Sequence, residues 1–110
     1  MEISVKEDSA ATIIQIKGDI DLYSSPKVRQ TILNCVKSDN LGKILVDMTG
    51  VAYIDSSGVA SLIEGLQLSN QRKRTFGIFG LSQRARAVIE LARLDKVFKI
   101  FTTEAEALGA

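Results

Sequence analysis

Two adjacent serines, Ser56 and Ser57, follow Asp55 and precede Gly58, between an apolar segment (51–54) and a run with apolar residues at helical spacing (59–68). This pattern predicts that both hydroxyls lie at the start of a helix, where unpaired N–H groups and the helix dipole accommodate an added negative group. A serine there is a candidate phosphate acceptor, because phosphorylation adds about 1.5 to 2 negative charges at pH 7. The alternative interpretation is that Ser56 or Ser57 is only an N-cap, worth about 1 kcal/mol.

A catalytic role for these serines would need a general base, and the sequence offers few. It contains no histidine and a single cysteine, Cys35. A Ser-His-Asp arrangement, an internal disulfide and a metal site with several cysteines are therefore excluded. We expect no enzymatic activity and no cofactor, because a carboxylate at a helix start usually caps or orients the chain.

Four aspartates stand near the ends of predicted strands, where α/β sheets tend to bind ligands. They are Asp19, Asp21, Asp47 and Asp55. Their carboxylates would suit Mg²⁺ if they met at one edge of the sheet, because this ion prefers oxygen ligands. The simpler interpretation is that they are ordinary strand-end and turn residues, so we predict no metal site.

The composition indicates one globular domain spanning 1–110, because 45% of the 110 residues are hydrophobic. The N-terminus is alternating and acidic, unlike a signal peptide, and no apolar stretch reaches the ~18 residues of a membrane-spanning helix.

The net charge of +1 argues against nucleic-acid binding, which requires many neutralised phosphates. We expect a cytoplasmic protein, monomeric when free, with no direct contact to nucleic acid and no membrane insertion. The basic run 72–74 is expected to be a solvated face.

Hydrophobic periodicity predicts an α/β fold. Alternating residues on either side of a turn at 8–11 predict an antiparallel hairpin, and Ser25 followed by Pro26 predicts an N-cap and the first helical residue. Thr49 and Gly50 are expected to turn the chain after a buried strand. The predicted elements are strands at 3–5 and 12–16, a helix to about 38, a strand at 43–48, a helix to about 68, a strand at 75–79, a helix capped by Ser82, a strand or extended segment at 97–101 and a helix capped by Thr103.

The expected architecture is a single domain with a mixed sheet of four to five strands, packed with about four helices. The hairpin strands are antiparallel and the following strands parallel. In the second helix Ser61 falls off the predicted core stripe. The residues predicted to face the core from the first two helices are Val28, Ile32, Cys35, Val36, Val59, Leu62, Ile63 and Leu66.

Three motifs in this order resemble a known family. They are Gly18-Asp19-Ile20-Asp21 at the end of the second strand, Ile44-Leu45-Val46-Asp47, and Tyr53-Ile54-Asp55-Ser56-Ser57-Gly58 at a helix start. Together they resemble the STAS domains of bacterial anti-sigma factor antagonists. The resemblance implies a protein that binds an anti-sigma factor, usually a serine kinase of the GHKL type, and so frees a sigma factor. It also implies that the kinase phosphorylates a serine of the last motif and that a PP2C-type phosphatase resets it.

Carried onto this chain, the resemblance makes Ser56 the phosphate acceptor and Ser57 the second choice. The expected partner-binding residues are Asp21, Ser24, Asp55, Ser56, Ser57, Gly58 and Ser61. One departure follows the motif, where such antagonists commonly continue Gly-Leu-Gly but this chain has Val59 and Ala60 after Gly58. That continuation also resembles STAS subunits of phospholipid-transport ABC systems. Such a subunit, or a regulator in another partner-switching pathway, is the alternative.

Overall fold

The computed structural model describes residues 1–7, 10–38 and 42–110. Five strands form one sheet in the order β1-β2-β3-β4-β5. The elements are β1 (Glu2–Glu7), β2 (Ala11–Lys17), α1 (Ser25–Lys37), β3 (Lys43–Gly50), α2 (Ser56–Gln71), β4 (Phe76–Phe79), α3 (Gln83–Leu91), β5 (Lys99–Phe101) and α4 (Glu104–Gly109). The predicted α/β fold, with four to five strands and about four helices, is confirmed, since the described residues form five strands and four helices.

The predicted hairpin is confirmed, with Glu2 paired to Lys17 and Glu7 to Thr12 in antiparallel register. The other neighbouring strands are parallel to one another. Residues 8 and 9 of the predicted turn lie outside the described residues. Because consecutive parallel strands are neighbours, the helices between them cross over the sheet.

The main core lies between one face of the sheet and helices α1, α2 and α3. It includes Val28 and Ile32 from α1, Leu62 from α2, and Ile89 from α3, all fully buried. A smaller cluster on the other face is covered by α4 through Ala107. The helix faces predicted from spacing therefore point to the core, with Cys35 buried as expected.

Some predicted boundaries were wrong by a short distance: α2 runs to Gln71 instead of ending near 68, and β5 begins at Lys99 instead of 97. Helix α1 begins at Ser25, so its N-cap is Ser24 rather than Ser25, and the Ser24 side chain does not cap the helix. Thr49 and Gly50 continue strand β3 instead of turning, because Gly50 pairs with Lys17 in the parallel ladder. No helix in the described part of the chain is long and apolar enough to cross a membrane.

The prediction that the basic run 72–74 is solvated was wrong for Arg74, which is 7% exposed. Its guanidinium donates to the carbonyl oxygens of Cys35 and Val36 at 2.9 and 3.0 Å and to Gly42 O at 2.8 and 3.2 Å. The last carbonyls of a helix have no intrahelical partner. Arg74, which follows α2 in the chain, therefore caps the C-terminal end of α1. Arg72 stays exposed.

Candidate partner-binding site

The Asp-Ser-Ser-Gly motif is held beside the end of β2 by a short parallel pairing. Ile20 forms an isolated bridge with Ile54, its N–H donating to Tyr53 O and its carbonyl accepting from Asp55 N–H, both at 3.1 Å. Gly58 is required for this close approach, because a Cβ there would lie 2.9 Å from Cγ2 of Ile20. The turn that follows Ile20 and the start of α2 are thus fixed next to each other.

Asp55 is the N-cap of α2, so the interpretation that Ser56 or Ser57 caps this helix was wrong. Asp55 Oδ1 accepts from the backbone N–H of Ser57 at 2.9 Å, the Ser57 hydroxyl at 2.5 Å and the N–H of Gly58 at 3.1 Å. These bonds, the Ser57 hydroxyl first, lower the pKa of Asp55. The carboxylate is therefore charged at neutral pH and engaged in holding the first turn.

The two serines differ in what their hydroxyls do. Ser56 is the first residue of α2 and its side chain is exposed. Ser57 is half-buried, and its hydroxyl donates to Asp55. Within the described part of the chain, the Ser56 hydroxyl forms no hydrogen bond, so of the two it is the one available to an incoming group.

Asp21 and Ser24 form a second braced turn beside this motif. Asp21 Oδ1 accepts from the N–H groups of Tyr23 and Ser24 at 2.9 and 3.0 Å, and the Ser24 Oγ accepts from Asp21 N–H at 2.9 Å. The Ser24 N–H is the main cause of a lowered pKa at Asp21. Both acidic residues of the site therefore carry a negative charge at neutral pH.

Ser61 belongs to the contact between α1 and α2 instead of lying on an open face. It is 4% exposed, and its hydroxyl lies 3.1 Å from Ser57 O and 3.4 Å from Ser25 O. Helical spacing alone placed it off the core stripe, but α1 covers that side of α2. Next to Ser61, side chains of α1 and α2 line a hollow of about 370 Å³. The ion pair of Arg29 with Glu64 forms part of its border.

The carboxylates named from the sequence have separate local partners. Asp47 accepts from the N–H and hydroxyl of Thr49 at 2.9 and 2.6 Å, and Asp19 accepts from Tyr53 N–H at 3.2 Å. Among the residues that the structure describes, no three His, Cys, Asp or Glu side chains are grouped to hold a metal ion. Asp19 and Asp21 lie in the segment between β2 and α1, as the turn interpretation expects, whereas Asp47 lies within β3 and Asp55 is the N-cap of α2.

Sequence reasoning missed one feature of this surface, the pair Leu22 and Tyr23. These side chains are 69% and 90% exposed on the turn braced by Asp21. The sequence feature that could have indicated this exposed pair is a leucine next to a tyrosine in an otherwise polar turn segment.

Comparison with known proteins agrees with this architecture. A STAS domain family model matches residues 2–107. The anti-sigma-B factor antagonist of Listeria monocytogenes is 32% identical over 111 residues, covering 99% of this chain and 96% of the relative. An anti-sigma factor antagonist from Mycobacterium paratuberculosis superimposes with a TM-score of 0.84 at 23% identity, covering 98% of this chain and 91% of that one. SpoIIAA of Bacillus, solved in its phosphorylated form, has a TM-score of 0.74 at 17% identity over 98% of this chain and 97% of its own.

The fold and the helix-start motif define a small α/β domain of the type found in anti-sigma factor antagonists. The chain belongs to the STAS domain family, and the resemblance drawn from its three motifs is confirmed.

Proposed function

We propose that this chain is an anti-sigma factor antagonist that acts as a monomer in the cytoplasm and has no catalytic activity. Its partner is an anti-sigma factor that is a serine kinase of the GHKL type, bound through the surface around the start of α2. Phosphorylation of Ser56 weakens that complex, and a PP2C-type phosphatase restores it. The observation that carries the proposal is the exposed Ser56 at a helix N-terminus, in a chain 32% identical to an anti-sigma-B factor antagonist.

The geometry favours Ser56 over Ser57 as the acceptor. A hydroxyl must be reached by the phosphoryl donor with its oxygen free to attack. Ser57 Oγ lies 2.5 Å from Asp55 Oδ1 and is half-buried, so its phosphorylation would break the contact that orders the motif. Ser56 can be modified while the Asp55 cap stays in place.

A phosphate on Ser56 costs the free protein little but opposes the complex. The helix N-terminus favours a negative group within the domain. In the complex a kinase places the phosphates of its nucleotide beside the same hydroxyl, so after transfer the phosphoserine faces the remaining nucleotide phosphates. It also adds charge next to Asp21 and Asp55, which are both ionised. Repulsion between charges at such distances is strong when water is excluded.

The experiment is phosphate mapping by mass spectrometry after mixing the chain with the soluble fraction of its host and ATP. The wild type and Ser57→Ala are expected to gain one phosphate on Ser56, while Ser56→Ala gains none. Ser57→Ala is the matched control because it removes the neighbouring hydroxyl. Equal phosphorylation of Ser56→Ala and the wild type would reject Ser56 as the acceptor, and no phosphate on the wild type would reject the switch.

A second candidate function has one observation in its favour. Val59 and Ala60 follow Gly58, which resembles the STAS subunits of phospholipid-transport ABC systems. Under this alternative the same surface would contact a transporter ATPase. Co-purification with a membrane ATPase, in place of a soluble kinase, would select it.

A further inference from the structure

Two large apolar side chains stand out from the surface next to the proposed acceptor. Tyr23 is 90% exposed and Leu22 is 69% exposed. Exposing a tyrosine ring to water leaves a large apolar area unburied, and tyrosine is enriched among residues that dominate binding energy at interfaces. Leu91, at the end of α3, is exposed to a similar degree, 84%, but belongs to no part of the candidate site.

The turn that carries Tyr23 is fixed by its own hydrogen bonds. Asp21 accepts from Tyr23 N–H and Ser24 N–H, and the Ser24 hydroxyl lies 3.0 Å from Asp19 O and 3.1 Å from Asp21 Oδ1. The side chains are therefore exposed on an ordered backbone. An ordered apolar group loses less conformational freedom when it binds than a mobile one does.

The same turn is joined to the acceptor motif. The Ile20–Ile54 bridge connects the two segments directly, with Ile20 N–H donating to Tyr53 O and Ile20 O accepting from Asp55 N–H. A partner that reaches the Ser56 hydroxyl therefore meets Leu22 and Tyr23 in a fixed relation to it.

A hollow beside Tyr23 is open to solvent. It has a volume of about 440 Å³ and is lined by Asp19, Asp21, Tyr23, Ser24 and Lys27, together with Met1. The carboxylates of Asp19 and Asp21 are balanced by the Lys27 ammonium and the amino group of Met1, so the exposed apolar pair, and not a net charge, distinguishes this side of the turn.

We propose that Leu22 and Tyr23 are the affinity anchor for the anti-sigma kinase. Their side chains insert into an apolar pocket of that kinase. This inference rests on the proposed function, since it names residues by which the same partner is held. The anchor contributes equally before and during phosphoryl transfer, so it sets how tightly the chain binds and leaves the rate of transfer unchanged.

The test uses the host serine kinase purified by following transfer of labelled phosphate to the wild-type chain. Its kcat and KM are measured with wild type, Tyr23→Ala, Tyr23→Phe and the matched surface control Leu91→Ala. Tyr23→Ala is expected to raise KM at least about tenfold with kcat within about twofold, because a hot-spot truncation removes uniform binding. Tyr23→Phe keeps the ring and is expected to stay within about threefold of wild type, and Leu91→Ala within about twofold.

The outcomes separate this inference from the function on which it rests. If the wild type is phosphorylated but Tyr23→Ala and Leu91→Ala have equal KM, the anchor is overturned and the proposed function is retained. Equal loss in Tyr23→Phe and Tyr23→Ala would also overturn the anchor, because the ring would then contribute nothing. Wild-type chain that takes up no phosphate from any host fraction would overturn the proposed function and the anchor together. Unchanged thermal melting of Tyr23→Ala excludes misfolding, and Leu22→Ala provides a second, independent truncation.

Discussion

The carboxylate of Asp55 and the hydroxyl of Ser57 lie 2.5 Å apart, and this contact makes the two serines of the motif differ in how accessible their hydroxyls are. Ser57 is bound to the N-cap, while Ser56 is left at the surface. One aspartate thus orders the helix start and leaves a single exposed hydroxyl in a defined position.

Asp55→Ala is expected to destabilise the domain by about 1 kcal/mol, the usual cost of deleting an N-cap. The N–H groups of Ser57 and Gly58 and the Ser57 hydroxyl all lose their acceptor. Urea denaturation measures the effect, with Asp55→Asn as a control that keeps a capping oxygen. A loss in Asp55→Asn as large as in Asp55→Ala would show that charge, and not capping, is what the position supplies.

Stability should decline in acid through Asp21 and Asp55, whose pKa values are both lowered by hydrogen bonds. A carboxyl with a lowered folded-state pKa contributes its full stabilisation above the unfolded value of about 3.9, and loses it as the pH falls through the folded values. Thermal melting between about pH 7 and pH 2 measures this. The double variant Asp21→Asn/Asp55→Asn is expected to lose less stability below about pH 4 than wild type. Parallel curves would contradict the assignment.

The order of elements and the buried helix faces were predictable from sequence, because periodicity and caps are local signals. The Ser82 hydroxyl accepts from Ala85 N–H at 3.0 Å and the Thr103 hydroxyl from Glu106 N–H at 3.2 Å, as their positions before predicted helices indicated. The Ser56 position at a helix start was predictable for the same reason.

Leu62→Ala tests the predicted phase of α2. Leu62 is fully buried in the main core, so the variant is expected to lose roughly 2 to 5 kcal/mol, a large share of the stability of a small domain. Leu91→Ala, an exposed leucine, should stay within about 0.5 kcal/mol in the same denaturation experiment. A similarly small loss for Leu62→Ala would mean that the helix is rotated, and the surface assigned to the partner with it.

Contacts between distant segments were not predictable. Ser61 is buried because α1 packs over it, and Asp21 lies beside the Asp-Ser-Ser-Gly motif because the Ile20–Ile54 bridge joins the two segments. Asp21 was predicted to bind the partner from the family resemblance and not from its spacing in the sequence. From the sequence, Arg74 is expected to belong to a solvated basic run. Its burial could not be predicted because the carbonyls that it binds belong to the end of α1, far earlier in the chain.

Arg74→Met is expected to cost about 2 kcal/mol or more, because it deletes the hydrogen bonds from a buried guanidinium to the carbonyls of Cys35, Val36 and Gly42, of which Cys35 O keeps a donor in Ser38. Arg74→Lys should rescue only part of the loss, since one ammonium group cannot replace the planar fork that reaches Cys35, Val36 and Gly42. Denaturant melts measure both. The control Arg72→Met lies on the same run but is exposed, and it should change stability by less than about 0.5 kcal/mol. Equal effects at positions 72 and 74 would contradict the capping role.

Ser56→Asp is expected to weaken binding of the anti-sigma factor at least tenfold, about 1.4 kcal/mol, with the fold unchanged. The free helix start accepts the negative group, whereas a partner surface that closes over Ser56 must desolvate it. True phosphoserine should have the larger effect because it carries more charge and bulk than a flat carboxylate. Titration calorimetry compares wild type, Ser56→Asp and phosphorylated protein, with Gln67→Glu placing one negative charge on exposed α2 surface as the control. Equal affinity across wild type, Ser56→Asp and phosphoprotein would remove the switch and favour the transporter alternative.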